Sequence, residues 1–292
     1  MSDALTTRFA PSPTGLLHLG HGYSALRAFD LAHRTAGRFL LRFEDIDAGR
    51  IREEYYAAIE TDLHWLGITW AETPLRQSSR FPAYRAVLDR LKDRELVYPC
   101  FCTRKDIAAE IAASASAPHG PDGALYPGSC RTMAGAERAR RVITEPHAWR
   151  IDMARAAALA GRLFWTDAKV GRVEARPEIH GDVVLARKDV PTSYHLAVTV
   201  DDAEQGVTDI VRGEDLFAAT HVHRLLQHLL ELPVPRYHHH ALIADEHGKR
   251  LAKRDDARSL ASLQKRGIGP AVVRDALRRN PPDIARLIDT GE

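Results

Sequence analysis

The residues with the most chemistry for their number are His18, Leu19, Gly20 and His21, directly behind the Pro-broken segment Ala10-Pro11-Ser12-Pro13-Thr14-Gly15. Two imidazoles three positions apart can donate hydrogen bonds to phosphate oxygens. Gly20 between them carries no side chain, so a flat ring can lie against its backbone. A helix following the tetrad offers the N–H groups and positive dipole end of its N-terminus to the same phosphates. A second set is Cys100, Cys102 and Cys130, the only cysteines of the chain. An odd count without a secretory signal points to a metal loop rather than to disulfides. Three thiolates leave one position open on a tetrahedral zinc. On ligand chemistry alone His119 is the first choice to fill it, because imidazole is a far commoner zinc ligand than phenolate.

These residues need a frame. Residues 5–10 read as a strand, because each proline pushes its predecessor out of the helical region. Ala25, Leu26, Phe29 and Ala32 recur at helical spacing within 22–36, and Gly37 stops that helix. The apolar run from Arg38 to Phe43 suits a buried parallel strand, and 51–66 and 81–94 read as amphipathic helices. Strand, helix, strand, helix predicts a doubly wound α/β sheet whose ligands sit beyond the carboxyl ends of the strands. The Pro-Ser-Pro turn and the run Glu44-Asp45-Ile46-Asp47 both fall at such ends. Composition shifts near Pro99: residues 98–130 hold all three cysteines and an Ala/Ser/Pro/Gly stretch, an excursion from the sheet. Short strands are expected near 163–173 and 182–187. A sheet-like pattern resumes over Tyr194–Val200 and again over Val207–Val211, before a helix over 218–231. Four segments result: 1–97, 98–190, 191–257 and 258–292.

With 45% hydrophobic and 27% charged residues the chain is ordinary for a globular protein, and its net charge of +2 announces no global field. Nucleic-acid binding must then rest on local patches. Candidates are Lys249, Arg250, Lys253 and Arg254, and the group Arg138, Arg140 and Arg141, although such runs are commonly solvated faces. No apolar signal region or stretch of roughly 20 apolar residues is present, which predicts a cytoplasmic protein without membrane contact. The run Tyr237-His-His-His240 is not read as a metal site, because neighbours on a strand face opposite ways. His221 and His223 are read as part of an ordinary helix start, at most bordering the nucleotide site.

Taken in order, Arg8-Phe-Ala-Pro-Ser-Pro-Thr-Gly15, His18-Leu-Gly-His21, Arg42-Phe-Glu-Asp-Ile-Asp47, Tyr194 to Asp202, Val211-Arg-Gly-Glu-Asp215 and the basic loop 249–254 resemble the glutamyl class of class I aminoacyl-tRNA synthetases. The resemblance implies a Rossmann-type catalytic domain split by an insertion, with a short helical tail. It implies ATP, accompanied by Mg2+, bound by His18, Gly20, His21, Arg250 and Lys253, with His18, His21 and Lys253 catalytic. In the loop, Arg250 and Ala252 depart from the family's Lys-x-Ser-Lys-Ser pattern, and Lys253 matches its catalytic lysine. Arg8, Ala10, Ser12, Glu44, Tyr194 and Arg212 match the family's glutamate pocket. Chemically, Arg8 and Arg212 are the natural carboxylate clamps and Glu44 the ammonium partner. For Arg212 and Glu44 the plainer reading is a mutual salt bridge. Asp45 and Asp47 are candidate magnesium ligands for which a structural role at a strand end is favoured. Cys-x-Cys followed by Tyr-x3-Cys is similar to the zinc-bearing insertion of the shortened glutamyl enzymes, which implies one structural zinc on Cys100, Cys102, Tyr126 and Cys130.

Residues 255–292 are too few for another domain with its own core. The expectation is therefore a member of the stand-alone glutamyl-queuosine tRNA(Asp) synthetases, which lack the anticodon-binding half. That family activates glutamate with ATP without tRNA and transfers it to queuosine in the anticodon loop of tRNA(Asp). No obligate protein partner is implied. The alternatives are a trimmed synthetase charging tRNA(Glu), a non-catalytic tRNA-binding paralogue, and a small-molecule nucleotidyltransferase.

Overall fold

A computed structural model describes residues 5–113, 119–121, 123–243 and 259–279. Strand β1 (Thr6–Phe9) is buried along its length and is followed, after the Pro-Ser-Pro turn, by helix α1 (Leu19–Arg34). The helix begins three residues earlier than its apolar spacing suggests, because His18 takes the N-cap position and its ring serves the first turn. Arg38 N–H then donates to Leu5 O at 2.7 Å, bringing β2 (Arg38–Phe43) parallel to β1 with Arg8 opposite Leu40. Gly37 makes this return possible: a Cβ there would lie 2.2 Å from Leu5 O.

Helix α2 (Glu54–Trp65), the two-residue strand β3 (Leu75–Arg76) beside β2, and helix α3 (Phe81–Asp93) complete the first half. The chain then leaves through β4 (Val97–Cys100), α4 (Arg104–Ala113), the small hairpin β5 (His119–Gly120) and β6 (Gly123–Ala124), α5 (Gly135–Thr144) and β7 (Ala148–Ile151). Helix α6 (Met153–Ala160) leads to the antiparallel pair β8 (Phe164–Asp167) and β9 (Gly171–Glu174). Strand β10 (Val184–Ala186) closes a second sheet in the order β10-β7-β4.

The return begins with α7 (Tyr194–Glu204), then β11 (Asp209–Gly213), α8 (Ala219–Leu229) and β12 (Arg236–His240). Helices α9 (Leu260–Lys265) and α10 (Pro270–Arg279) follow, and Leu260, Leu263, Val273 and Leu277 join the core under α1. Strands β12 and β8 extend β11 in parallel. Strand β11 meets β1 where Thr208 N–H donates to Thr6 O at 3.0 Å. The Rossmann-type sheet is thus assembled from both ends of the chain around the excursion.

One expectation fails. Tyr194–Val200, read as sheet-like, is helical. The error has a physical source: every residue from Leu196 to Asp202 is buried, so no polar face marks the helical period. The β-branched Val198, Thr199 and Val200 reinforce the strand pattern. Two arginines of the group Arg138, Arg140 and Arg141 are tied down on the surface. Arg141 pairs with Glu137 and Glu145, and Arg138 donates to the carbonyls of Arg131 and Met133.

Candidate functional site

A cleft of about 550 Å3 opens where the carboxyl ends of β1 and β11 meet. Arg8, Ala10, Ser12, His18, Gly20, His21, Glu44, Tyr194 and Arg212, scattered over more than two hundred positions, all line it. The resemblance assigns them to two ligands, and the fold gathers them around one space. Arg250 and Lys253 lie outside the described residues. On either side of that segment, Leu242 and Ile243 line the cleft, while Ser259 pairs with His18 and Leu260 N–H donates to Leu17 O at 2.8 Å.

The two imidazoles of the tetrad stack, with ring centroids 3.7 Å apart. His18 Nδ1 accepts from Gly20 N–H (3.1 Å), and His21 Nδ1 accepts from His18 N–H (3.3 Å). An Nδ1 that accepts leaves the neutral ring's proton on Nε2. In each neutral ring the proton therefore sits on Nε2, a tautomer set by the helix start itself.

Arg8 is anchored by a buried carboxylate on α7. Arg8 donates from Nε to Asp202 Oδ1 (2.9 Å) and from Nη2 to Oδ2 (3.3 Å). Arg42, fully buried, donates to the same Asp202 Oδ1 at 2.7 Å and reaches Glu44 Oε1 at 3.5 Å. Burial opposes the charge on Asp202, but Arg8 and Arg42 overcome it and hold its carboxyl below the usual carboxylate range. Burial pushes the Glu44 carboxyl upward, against the pull of Arg42 and Arg8. Its ion-pair partner among the described residues is Arg42, so the plainer alternative, a mutual Arg212–Glu44 bridge, is not the pairing found.

Arg212 is instead gripped from three sides. Its Nε donates to His239 Nε2 (3.2 Å), its Nη1 to Tyr194 Oη and His223 Nδ1 (3.3 Å each), and its Nη2 to Thr220 Oγ1 (2.6 Å). A guanidinium has no acceptor, so both histidines must accept and be neutral. His239 then donates from Nδ1 to Asp167 Oδ2 at 2.8 Å. Burial first, and then the neighbouring Arg212, push the His239 imidazole down to about 4 and His223 well below its ordinary range. His238 and His240 face the other way, toward Asp209 and Ser24, so the histidine run is no metal site. His223, taken for part of a plain helix start, supports a cleft cation.

Asp45 is buried and accepts from Tyr56 Oη, Ser78 N–H and Ser78 Oγ, which is the structural role favoured for it. Asp47 faces Arg187 at 3.5 Å.

The thiol sulfurs of Cys100, Cys102 and Cys130 lie within 4.8 Å of one another, with 3.4 Å between Cys102 and Cys130. Sulfurs around a tetrahedral zinc stand about 3.8 Å apart, so the cluster fits such an ion. Tyr126 Oη lies 3.5 Å from both Cys100 and Cys102 Sγ, in the place of a fourth ligand. The side chain of His119 lies outside the described residues. Burial pushes the Tyr126 phenol upward, and its hydrogen bonds to the cysteines add to this.

The split Rossmann-type sheet and this cleft agree with the family comparison. The chain belongs to the tRNA synthetases class I (E and Q), catalytic domain, whose family model matches residues 4–283, and it is a ligase of that class. It is 54% identical over 277 residues to the glutamyl-Q tRNA(Asp) synthetase of Rhodobacter capsulatus, covering 92% of this chain and 98% of that one. A glutamyl-Q tRNA(Asp) synthetase of Deinococcus radiodurans is 43% identical, with 92% and 86% covered. Among solved structures, a glutamate tRNA ligase from Elizabethkingia meningosepticum in complex with its amino acid matches with a TM-score of 0.74 and 28% identity. That match covers 86% of this chain and 52% of the other, so the chain spans about half the length of that ligase.

Proposed function

We propose that the chain activates glutamate with ATP, without tRNA, and transfers it to queuosine in the anticodon loop of tRNA(Asp). The observation that carries the activation step is the shared cleft: two fixed guanidiniums, Arg8 and Arg212, and the carboxylate of Glu44 face the stacked pair His18 and His21. Arg8 and Arg212 offer N–H groups to the carboxylates of glutamate, and Glu44 offers an acceptor to its ammonium. The glutamate α-carboxylate attacks the ATP α-phosphorus, and pyrophosphate leaves. The Nε2–H groups of His18 and His21 stabilise the charge that develops on phosphate oxygens, with Lys253 assigned to the same task by resemblance. Positioning and charge stabilisation supply the catalysis. A cyclopentene hydroxyl of queuosine then attacks the acyl carbonyl, giving the ester, AMP and a proton.

The acceptor assignment is supported by the R. capsulatus and D. radiodurans relatives, which are named for it. A competing acceptor, the 3′ end of tRNA(Glu), is suggested by glutamate–tRNA ligase 2 of Nitrosococcus oceani, 35% identical but with only 59% of its length covered. Cys100, Cys102, Cys130 and Tyr126 would hold one structural zinc, which staples the loop, and ATP would bring Mg2+. The segments 1–97 and 191–257 would form the catalytic halves, 98–190 the insertion with its zinc loop and acceptor-facing subdomain, and 258–292 the helical tail. The reading places the enzyme in the cytoplasm, and no helix among the described residues is long and apolar enough to cross a membrane.

Glutamate-dependent ATP–pyrophosphate exchange without tRNA tests the first step. Acid gels of queuosine-containing tRNA(Asp), queuosine-free tRNA(Asp) and tRNA(Glu) after incubation with labelled glutamate test the second. Label on tRNA(Glu) would overturn the acceptor assignment.

A further inference from the structure

Arg212 is buried, yet none of the groups that accept from it is a carboxylate. Among the described residues it forms no ion pair, whereas Arg8 is paired with Asp202. Its guanidinium is placed by uncharged acceptors, Tyr194, Thr220, His223 and His239, and keeps its charge for an anion that enters the cleft. The two hydroxyls can turn to meet a donor. A ring nitrogen accepts only while it carries no proton, so each histidine holds Arg212 in one tautomer alone.

For His239 that tautomer is fixed by Asp167, which accepts from Nδ1–H at 2.8 Å. The corresponding partner of His223 is His195. With Nδ1 of His223 turned to Arg212, its proton sits on Nε2, 3.2 Å from His195 Nδ1. His195 Nδ1 must then accept, so it carries no proton either. The contact joins three elements: His195 stands on α7, His223 on α8 and Arg212 on β11. The two imidazole centroids are 5.2 Å apart, and the Tyr194 ring packs against both, at 5.6 Å and 5.5 Å. The start of α8 is itself pinned, because His180 Nε2–H donates to Ala218 O at 2.9 Å. Neither His195 nor His223 lines the cleft, so both act on a ligand there through Arg212.

We propose that His195 is a positioning residue for glutamate: by accepting from His223 Nε2–H it fixes the His223 tautomer, and so the Arg212 guanidinium, in the form that receives a substrate carboxylate. This rests on the reading above that the cleft binds glutamate. Without an acceptor at that place, a buried Nε2–H is left unpaired. Moving its proton to Nδ1 relieves that cost but sets N–H against N–H at Arg212, and the guanidinium loses a support. The effect falls on the carboxylate clamp and spares the tetrad His18 to His21. His195 therefore serves one ligand of a cleft that takes two.

The test measures the Kd of glutamate by titration calorimetry, beside the KM for glutamate and for ATP in pyrophosphate exchange. His195→Phe keeps a ring and removes the acceptor. It is expected to raise the Kd and KM for glutamate about tenfold, the effect of one hydrogen bond to a charged group, with the KM for ATP held within about twofold. His195→Asn puts Oδ1 where Nδ1 stands and is expected to return glutamate binding to within about threefold of the parent. Should His195→Phe fail to fold, His195→Gln tests the same loss, since its amide begins one carbon further out. An unchanged glutamate Kd in these acceptor-free variants overturns the proposal. So does a rise that His195→Asn shares in full, or one matched by an equal rise in the KM for ATP, because lost packing alone produces either. If the parent neither binds glutamate nor catalyses exchange, the activation reading falls and this inference with it. Glutamate binding without exchange removes the activation reading alone, and the Kd series still decides the role of His195.

Discussion

His239 accepts a hydrogen bond from a guanidinium and donates one to Asp167, so a proton added at Nε2 would face Arg212 directly. Its pKa falls from an ordinary 6.5 to about 4, chiefly through burial and then through Arg212, against the pull of Asp167. Between those two values the unfolded chain binds more protons than the native one. Stability contributed at this site is therefore present at neutral pH and is lost on acidification from the unfolded value toward the folded one. From pH 7.5 to 4.5 the loss is about 2.5 kcal/mol. Replacing His239 by Asn removes the titration while keeping an N–H donor for Asp167. Urea unfolding of both proteins at the two pH values is the assay. The variant is expected to be the weaker at pH 7.5, having lost the acceptor for Arg212, yet to lose about 2.5 kcal/mol less on acidification. Equal losses in the two proteins would refute the argument, because the other buried histidines are common to both and cancel in the difference.

Three further outcomes follow from the same geometry. Asp202→Asn leaves Arg8 and Arg42 sharing no anion at Asp202's position, and unfolding measurements should show a cost of about 3–5 kcal/mol; a cost under about 1 kcal/mol would mean that the triad is not buried in solution. Gly20→Ala places a Cβ 3.1 Å from His18 Cε1 and 3.2 Å from its Nδ1, tight enough to displace the ring. Exchange kinetics should then show a raised KM for ATP with the KM for glutamate held, and equal KM changes would count against the division of the cleft. Metal analysis should find one zinc per chain, lost in Cys102→Ser and reduced in Tyr126→Phe. Full retention in Tyr126→Phe with loss in His119→Ala would move the fourth ligand to His119.

Much of the cleft was legible because its chemistry resides in residue types that few other tasks require. His18-Leu-Gly-His21 behind a Pro-broken turn, and Arg8, Glu44 and Arg212 at strand ends, are visible without coordinates, and the fold brings all of them to one cleft. Less legible was α7, where burial on every side erased the periodicity that separates helix from strand. Taken for a strand, that segment hid the role of Asp202, which sits on α7 and anchors both Arg8 and Arg42.

By itself the sequence determined the reactive groups, the alternation of strand and helix that frames them, and a cysteine spacing suited to zinc. These are local properties, set by side-chain chemistry, backbone preference and short-range period. Only the tertiary structure decided how the cations are held. Arg212 is fixed by Thr220, His223 and His239, which reach it from α8 and β12, and His195 backs His223 from α7. Such placements depend on which elements pack together, and hydrogen bonds between distant residues leave no period in the sequence from which to read them.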